Sequence, residues 1–530
     1  MKKKFVKNFC NFALNYTDRK MKIFTNDEIR QIDKYTIEKE GISSMELITR
    51  VAEEVTNEII TRWRPSKPVA VFAGPGNNGA DALAVAKLLS LNGFRISVYL
   101  FNIGGNRLTV ECAAQRDMII DDPNINLVEI IDKFNLPELK SNMLIIDGLF
   151  GSGLREPLQG GFAYLVQRIN EAGATVVSID IPSGLRGDSN NQIISRDVIH
   201  ATLTLAIQHP RPAFFLSDYA DLIGEWKILD IGLSATIANN IQAKYYLVEQ
   251  SDIYRCLHPR KRYASKADFG SAIIYAGSYG MMGAAVLAAR GALRAGAGKV
   301  TVESPKCGYN IIQTAVPDAM YHNNTGEMAI NTIRPMRTYN AIAVGPGIGT
   351  NEATISALEE FLAATSSPVI LDADALNCIA AKPKLLNMIP ELSIITPHAG
   401  EFDRIFGPQS SAETRLRKAA EMARYYHILI VLKGHYTAII RPDGNIYFNS
   451  TGTPALATPG SGDVLTGIMT AFMAQGYKSE IAAIISVLVH GLAGEIAAEQ
   501  HGEFGVTASD IAENVGKAIK TVMEPSQHII

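Results

Sequence analysis

Short apolar runs alternate with amphipathic stretches along most of the chain. In the first half, NDEIRQIDKYTIEKE and ELITRVAEEVTNEIITRW repeat hydrophobic residues at helical spacing, and β-branched runs such as PVAVFAG, ISVYLF and TVVSIDIPSG follow them. The same alternation restarts in the second half with SAIIYAGS, KVTVES and AIAVGPG. Apolar strands that alternate with helices pair in parallel and carry helices on both faces of the sheet. The pattern therefore predicts two α/β domains in tandem.

Breaks in this alternation predict the domain boundaries. We expect a tail that is disordered or lies upstream of the true start at Met21, a first domain, a polar and basic linker with the first strand of the next domain, and a second domain. These four segments are residues 1–24, 25–245, 246–267 and 268–530. Thr25 and Glu28 have the spacing of a helix capping box. Asp443 and Gly444, between the apolar runs TAIIRP and NIYFNS, predict a hairpin with a two-residue turn.

Composition and charge exclude several classes of protein. Of the 530 residues, 47% are hydrophobic and 19% are charged, which is too apolar for a disordered chain. The net charge of -3 argues against a general nucleic-acid binder, which needs a basic surface. Five cysteines in no CxxC pair indicate neither a disulfide framework nor a zinc site. The apolar stretch IAAIISVLVHGLAGEIAA contains His490 and Glu495, so we expect no membrane partner and a cytoplasmic protein.

Three glycine-rich loops follow predicted strands in the first domain. They are GPGNNGAD at 74–81, DGLFGSGLREP at 147–157 and DIPSGLRGD at 180–188. Because the carboxyl ends of parallel strands line one crevice, we expect the loops to converge. The first loop opens into a helix, whose N-terminal backbone N–H groups suit a phosphate. Three ordinary turns are the alternative, since one such motif alone is weak evidence.

Side chains in these loops suggest a cation site and an acid or base. Asn78, Asp147 and Ser183 supply oxygen atoms from three different loops, a set that can hold a hard, weakly charged cation. Asp180 lies at the end of an apolar strand, beside Ile179, where a carboxyl group can take part in proton transfer. A helix or turn cap is the alternative role for Asp180.

The motifs GPGNNGAD, DGLFGSGLREP, SIDIPSG and GEWKILDIGL resemble the NAD(P)H-hydrate epimerase family, also called the YjeF N-terminal domain, over residues 25–240. The resemblance implies a Rossmann-like three-layer sandwich, a potassium ion at Asn78, Asp147 and Ser183, and Asp180 as the acid or base that contacts the substrate. It also implies that two loops bind the substrate diphosphate. Their residues are Asn77, Asn78, Gly79, Ala80, Asp81, Gly151, Ser152, Gly153, Leu154, Arg155, Glu156 and Pro157.

Two positions of the first loop depart from the family pattern. The usual pair of glycines is Gly79-Ala80 here, and Ala82 replaces another common glycine. An added methyl group favours negative φ, so the shape of this loop can differ from that of the family.

The segment ATPGSGDVLTG at 457–467 is the most specific one in the second domain. Gly460, Ser461 and Gly462 precede Asp463 at the start of a helical pattern, so three N–H groups would face an anion with a carboxylate beside it. Phosphoryl transfer to a hydroxyl group needs both features. A helix cap is the alternative reading of Asp463.

Together with LKGHYT, TPHAGEF, GPGIG and AGSYGMMGAA, this segment resembles the ribokinase-like YjeF C-terminal domain, the ADP- or ATP-dependent NAD(P)H-hydrate dehydratase, over residues 250–525. The resemblance implies Asp463 as catalytic base, Mg²⁺ as a cofactor and ADP or ATP as co-substrate. It places the nucleotide at Lys433, Gly434, His435, Tyr436, Thr437, Gly460, Ser461 and Gly462. It places the hydrated nicotinamide at Ala284, Gly347, His398 and Asp463. The common His-Lys-Gly triplet of the family is Ser265-Lys266-Ala267 here.

The fusion of the two domains implies repair of a damaged cofactor. Hydration of NADH or NADPH at C6 gives NADHX or NADPHX, each as an R and an S epimer. A dehydratase specific for one epimer needs a partner that interconverts them. Fused chains of this kind resemble ADP users, and we expect a homo-oligomer. Two alternatives stay open: a small-molecule kinase as the second domain, and a non-catalytic binding scaffold as the first.

Overall fold

The computed structural model describes residues 21–190, 193–334 and 338–524, which form two compact units. The first unit is Lys22–Ala243 and the second contains the chain from Lys244 onward. Residues 1–20 of the predicted tail lie outside the described residues. Residues 21–24 are not disordered as predicted, because Met21–Ile23 form strand β1 and the Phe24 side chain is buried.

The first unit contains a seven-stranded, entirely parallel sheet. Its strands are β2 (Val69–Ala73), β3 (Ile96–Phe101), β4 (Ile125–Ile130), β5 (Leu144–Gly148), β6 (Thr175–Ile179), β7 (Leu203–Ile207) and β8 (Glu225–Leu229). They lie in the order β4-β3-β2-β5-β6-β7-β8. The helices are Asn26–Glu40, Ser44–Arg62, Asn77–Leu91, Val110–Asp117, Gly160–Glu171, Ala220–Ile223 and Ala235–Asn240. The first of these helices begins at the predicted capping box, in which Thr25 and Glu28 each accept a hydrogen bond from the other's backbone N–H.

The second unit is built on a larger sheet. Its strands are β9 (Tyr245–Val248), β10 (Ser271–Tyr275), β11 (Lys299–Ser304), β12 (Met320–Asn323), β13 (Ala341–Val344), β14 (Ile370–Leu371), β15 (Ile394–Ile395), β16 (Leu429–Leu432), β17 (Ala438–Ile440) and β18 (Ile446–Asn449). They lie in the order β9-β18-β17-β16-β15-β14-β13-β10-β11-β12. The helices are Gln250–Tyr254, Met282–Arg294, Tyr309–Ala315, Glu352–Ala364, Asp374–Ala381, Ala399–Phe406, Ala412–Tyr426, Ser461–Ala474, Ser479–His501 and Ala508–Met523. The α/β fold class predicted from the sequence is confirmed in both units.

Two local predictions for the second unit need correction. The segment interpreted as a linker from residue 246 is largely part of the unit, because β9 pairs in parallel with β18 and a short helix, Gln250–Tyr254, follows. The predicted hairpin is present, since β17 and β18 pair antiparallel. Its turn is longer than two residues, because Ile440 pairs with Ile446 and residues 441–445 connect them.

The apolar stretch around His490 lies in helix Ser479–His501. Among the described residues, this is the one helix that is long and apolar enough to cross a membrane, contrary to the expectation that its polar residues exclude this. However, 78% of its most apolar window is buried inside the protein, as is usual for a core helix. The helix is therefore explained by packing within the second unit.

The helix that begins at the glycine-rich loop of the second unit packs closely against a neighbouring helix. A Cβ atom at Gly467 would lie 2.0 Å from the Ala288 carbonyl oxygen, and one at Gly291 would lie 2.5 Å from the Val464 carbonyl oxygen. Only glycine permits these approaches between helices Met282–Arg294 and Ser461–Ala474.

Candidate functional sites

The three loops of the first unit meet at the carboxyl ends of β2, β5 and β6, which are neighbours in the sheet. A Cβ atom at Gly151 would lie 3.3 Å from both Asn78 Cγ and Asp180 Oδ2, so one atom position touches all three loops. The Gly74 N–H donates to the Gly148 carbonyl oxygen at 3.0 Å, which joins the ends of β2 and β5. The loops converge as the sequence predicted.

The departures from the family pattern in the first loop fall inside a regular helix. Gly79, Ala80 and Ala82 lie in helix Asn77–Leu91, and both alanine side chains are fully buried. A Cβ atom at Gly148 would lie 2.4 Å from the Ala82 methyl carbon, so Gly148 makes room for this methyl group. The additional methyl groups are therefore accommodated with helical backbone.

The residues predicted to bind diphosphate differ in exposure. Asn77 is exposed at the first turn of its helix, and Asn78 is half-buried, whereas the side chains of Ala80 and Asp81 face the interior. In the second loop Gly153, Arg155 and Glu156 are exposed, and Gly151, Ser152, Leu154 and Pro157 are half-buried. Backbone N–H groups of a first helical turn have no acceptor within the helix, so the turn at Asn77 can receive an anion.

Asp147 is the centre of a buried hydrogen-bond network. Its carboxylate accepts from the Ser178 hydroxyl at 2.8 Å, from the Ser183 backbone N–H at 2.8 Å and from the Ser183 hydroxyl at 2.5 Å. The Leu149 N–H adds a fourth contact at 3.3 Å. Burial raises the pKa of Asp147, against the effect of these donors. The network fixes Asp147 and Ser183, two of the three predicted cation ligands, against each other.

Asp180 is paired with an arginine that the sequence analysis did not identify. Asp180 Oδ1 accepts from Arg211 Nη2 at 2.5 Å, and both side chains are buried. Asp180 Oδ2 accepts from the Ser152 N–H at 3.1 Å, within the predicted diphosphate loop. Its φ of 67° is uncommon for a residue other than glycine and is typical of functional sites. Asp180 is thus held by two contacts and is not isolated among apolar side chains.

Two further carboxyl groups surround this pair. Burial raises the pKa of Asp33 to about 6, against the effect of Arg211 and with a contribution from Asp180. Burial also raises the pKa of Asp81 well above its usual value, and the charges of Asp180 and Asp33 act in the same direction. The first site therefore combines an ion pair with acids that keep their protons more readily than usual.

In the second unit, the glycine-rich loop ends as predicted at the start of a helix. Gly460 caps helix Ser461–Ala474 with a φ of 87°, and Asp463 lies in the first turn. A Cβ atom at Gly462 would lie 3.4 Å from Lys433 Nζ and 3.9 Å from Asp372 Oδ2. The loop, the lysine and a second aspartate therefore meet at one place.

Lys433 links the acidic groups of this site. Its ammonium group lies 3.1 Å from Asp372 Oδ1 and 3.7 Å from Glu401 Oε2. Burial favours neutral Lys433, but the carboxylates of Asp372, Glu401 and Asp463 outweigh it and raise the pKa of the lysine. Burial by itself raises the pKa of Asp372, but the charge of Lys433 and the hydrogen bond from the Thr466 hydroxyl hold it below its usual value.

Asp463 has the electrostatics of a general base. Burial raises its pKa to about 7, the charge of Asp372 adds to this rise, and Lys433 opposes it. A base with a pKa near the pH of the reaction combines a useful ionised fraction with a useful affinity for the proton. The position and charge environment of Asp463 therefore suit proton removal near neutral pH.

The predicted nicotinamide residues Ala284 and Gly347 lie side by side. A Cβ atom at Gly347, whose φ is 65°, would lie 3.1 Å from the Ala284 methyl carbon. The loop of Gly347 also contacts Asp374, because the Gly349 N–H donates to Asp374 Oδ2 at 2.9 Å. The charge of Asp374 contributes to the raised pKa of Asp463.

His398 has a structural role within the same region. Its Nδ1 accepts from the N–H groups of Gly400 and Glu401 at 3.0 and 3.3 Å, so the residue caps helix Ala399–Phe406. The side chain is 57% exposed, which leaves the other edge of the ring accessible. His398 pairs with Lys433 in an isolated parallel bridge, and this places it beside Lys433 and its acidic partners Asp372 and Glu401.

The remaining predicted nucleotide residues form a turn after β16. The Thr437 hydroxyl donates to the Gly434 carbonyl oxygen at 3.0 Å and accepts from the Gly434 N–H at 3.3 Å. His435 is exposed and Tyr436 is half-buried, with ring centroids 4.5 Å apart. The turn therefore combines polar and aromatic side chains, and nucleotide binding there stays a prediction.

Residues missed by the sequence analysis are partners of the predicted ones. They are Asp33, Arg211, Asp372, Glu401, Thr466 and His490. Glu401 and Thr466 lie inside the motifs TPHAGEF and ATPGSGDVLTG, and Asp372 follows an apolar run in PVILDADAL, as Asp147 and Asp180 follow theirs. Asp33, Arg211 and His490 lie in none of these motifs.

Comparison with known proteins relates both units to one enzyme class. A family model described as YjeF-related protein N-terminus matches residues 44–213, and one described as NAD(P)H-hydrate dehydratase matches residues 272–517. A solved ADP/ATP-dependent NAD(P)H-hydrate dehydratase from Bacillus subtilis, co-crystallized with ATP/Mg²⁺, is 31% identical. It covers 52% of this chain and 97% of its own, with a TM-score of 0.45.

Full-length relatives contain both units. The bifunctional NAD(P)H-hydrate repair enzyme Nnr of Thermofilum pendens is 30% identical over 524 residues, which cover 96% of this chain and 98% of the relative. The enzyme of the same name from Coxiella burnetii is 32% identical over 493 residues, which cover 92% and 97%. The chain belongs to the family of bifunctional NAD(P)H-hydrate repair enzymes.

Proposed function

We propose that the chain repairs hydrated NADH and NADPH with two active sites. The first unit interconverts the R and S epimers of NADHX and NADPHX. The second unit dehydrates the S epimer with ADP or ATP and releases NAD(P)H, phosphate and AMP or ADP. The observation that carries this proposal is the presence in one chain of both sites, each with an aspartate beside backbone N–H groups. The sequence is related to bifunctional repair enzymes over 96% of its length.

In the second unit, Asp463 removes the proton of the C6 hydroxyl group while the terminal phosphoryl group of the nucleotide is transferred to this oxygen. The N–H groups at Gly460–Gly462 bind the negative oxygens of the phosphoryl group, with that of Ser461 shared with the Thr458 carbonyl oxygen at 3.3 Å, and Lys433 adds a positive charge. Phosphate then leaves C6 with the electron pair of the C–O bond while the ring nitrogen donates electrons to C6. Loss of a proton from C5 then forms the C5–C6 double bond and restores the dihydronicotinamide. Phosphorylation makes the oxygen a good leaving group, which is the reason for nucleotide consumption.

Magnesium is proposed to arrive with the nucleotide. Among the described residues, no group of three or more His, Cys, Asp and Glu side chains is arranged to hold a metal ion. Mg²⁺ usually binds substrate phosphates with only one or two protein carboxylates, so this chain needs no dedicated cage.

In the first unit, Asp180 contacts the hydrated ring as acid or base, and Arg211 keeps its carboxylate in place. The diphosphate binds at the first helical turn from Asn77 and at the loop from Gly151 to Pro157. The Ser152 N–H connects this loop to Asp180, so diphosphate binding and proton transfer share one segment.

A potassium ion fits the oxygen cluster beside this site. Asp147 is completely buried, and its partners among the described residues are hydroxyl and backbone N–H groups, with no basic side chain. A buried carboxylate without a counter-ion suits a weakly charged cation. Asp147, Ser183 and Asn78 would hold the ion, whose charge would stabilise negative charge on the substrate.

The decisive experiment follows both epimers of hydrated NADH by chromatography with the full-length chain. With ADP or ATP present we expect both epimers to disappear and the absorbance of NADH to return, with release of free phosphate. Without nucleotide we expect interconversion of the epimers alone. Failure to consume the S epimer with either nucleotide would overturn the proposal, and a stable phosphorylated product would favour the kinase alternative. The homo-oligomeric state and the cytoplasmic location stay predictions.

A further inference from the structure

We infer that His490 is the positioning residue of the anion-binding loop in the second unit. The inference rests on the proposed function of that loop and concerns how its shape is fixed. Gly460 and Gly462 flank Ser461, so Ser461 is the only residue of the three with a side chain that can be held.

His490 contacts Ser461 at two oxygen atoms. His490 Nε2 lies 3.0 Å from the Ser461 carbonyl oxygen and 3.1 Å from its hydroxyl oxygen, and both residues are buried. Because a carbonyl oxygen only accepts, Nε2 must carry the hydrogen. Burial lowers the pKa of His490 to about 4, so the ring is neutral at pH 7 and has a single N–H. That hydrogen is directed at Ser461, which leaves the serine hydroxyl hydrogen available for another acceptor.

The position of His490 is itself fixed by the loop after β18. The Thr451 hydroxyl donates to the Leu488 carbonyl oxygen at 2.9 Å, and the Gly452 N–H donates to Glu495 at 2.6 Å. A Cβ atom at Gly491 would lie 2.3 Å from the Thr451 hydroxyl oxygen, so the helix lies directly against this loop. These contacts bracket His490 on both sides along helix Ser479–His501.

Glycine residues lack the conformational restriction of other residues, so a loop of two glycines around one serine depends on outside contacts for its shape. The N–H groups that bind a phosphoryl group must be aimed at the charge that develops in the transition state. His490 supplies the contact that sets this aim, and this explains a polar residue in the middle of an apolar, buried helix.

The test compares three variants of the full-length chain in the dehydration of S-NADHX with ADP and Mg²⁺. His490→Leu removes the N–H group that contacts Ser461. We expect the KM for ADP to rise by about tenfold or more and kcat to fall. His490→Gln keeps an N–H near the Nε2 position, and we expect it to restore most of the loss. Ser486→Ala is the matched control, because the Ser486 hydroxyl lies one turn earlier, is buried and has no partner among the described residues. The epimerase rate of each preparation should not change.

Two results would overturn the inference. One is a His490→Leu variant within twofold of the wild type in both constants. The other is a His490→Gln variant no better than His490→Leu in folded protein. If His490→Leu does not fold, His490→Asn replaces it, because the asparagine side chain is too short to reach both Ser461 oxygens. Equal KM values for ADP in the His490→Asn and His490→Gln variants would then refute the positioning role of His490. If the wild type dehydrates no hydrate, the proposed function fails, and calorimetric binding of ADP with Mg²⁺ to the same variants still tests His490.

Discussion

Replacement of Asp463 by asparagine should inactivate the dehydratase and stabilise the second unit at the same time. The carboxyl group has a pKa raised from 3.8 to about 7, first by burial and then by Asp372. Because the folded pKa exceeds the unfolded one, the folded unit binds the proton more tightly between these two values, and its stability falls as the pH rises through this window. Each pKa unit is worth about 1.4 kcal/mol, so the ionised group costs the unit about 4 kcal/mol at pH 8.

This figure already includes the attraction of Lys433, which lowers the pKa of Asp463. It is an upper limit for the gain, because an asparagine side chain packs less well than the native acid. We expect Asp463→Asn to raise the free energy of unfolding at pH 8 by about 2 to 4 kcal/mol and to leave it unchanged at pH 4, where the wild-type carboxyl group is itself mostly protonated. Loss of a general base should lower kcat by about 100-fold or more. In the wild type, kcat/KM for dehydration should fall as the pH drops below about 7.

Thermal or denaturant unfolding of the full-length chain at both pH values measures the first effect, and phosphate release measures the second. Asp443→Asn, in the turn between β17 and β18, is the matched control and should change neither. An Asp463→Asn variant that is less stable than the wild type at pH 8, or that keeps wild-type kcat, would refute the reasoning.

The remaining predictions concern backbone space, an ion pair and a pH profile. Gly79→Ala should abolish epimerisation and destabilise the first unit by about 1 to 3 kcal/mol, because the new methyl carbon would lie 1.8 Å from the Gly74 carbonyl oxygen. Gly76→Ala is the control and should be tolerated, because a Cβ atom at Gly76 meets no atom within 4 Å. Asp180→Asn should slow epimerisation by at least about 100-fold. It should also destabilise the first unit by about 3 kcal/mol, because Arg211 becomes a buried cation without a counter-charge. Chromatography of the two epimers measures the epimerisation rate, and an unchanged rate would contradict the acid or base role of Asp180. Lys433→Met should shift the acid limb of the dehydration pH profile upward, because the lysine lowers the pKa of the base; a profile that stays in place would contradict this.

Much of both sites could be predicted because their loops are continuous in sequence. The segments from Gly74, Asp147 and Asp180 each lie at the end of an apolar strand, and parallel strands place such loops at one edge of the sheet. The segment from Gly460 is instead recognised by the helix that begins at Ser461. The departures at Ala80 and Ala82 could not be judged in the same way. The effect of Ala82 depends on Gly148, which lies opposite it in the structure but 66 positions later in the chain.

The sequence by itself determined the α/β class, the tandem organisation and the strand-end loops, because hydrophobic periodicity and glycine-rich turns are local properties of the chain. Only the tertiary structure decided which charges these loops meet. Arg211 beside Asp180, Asp372 beside Lys433 and His490 beneath Ser461 come from segments 31, 61 and 29 positions away. The proton affinity of a buried carboxylate depends on distances between such segments and on the water they exclude, and neither quantity is encoded at a single position.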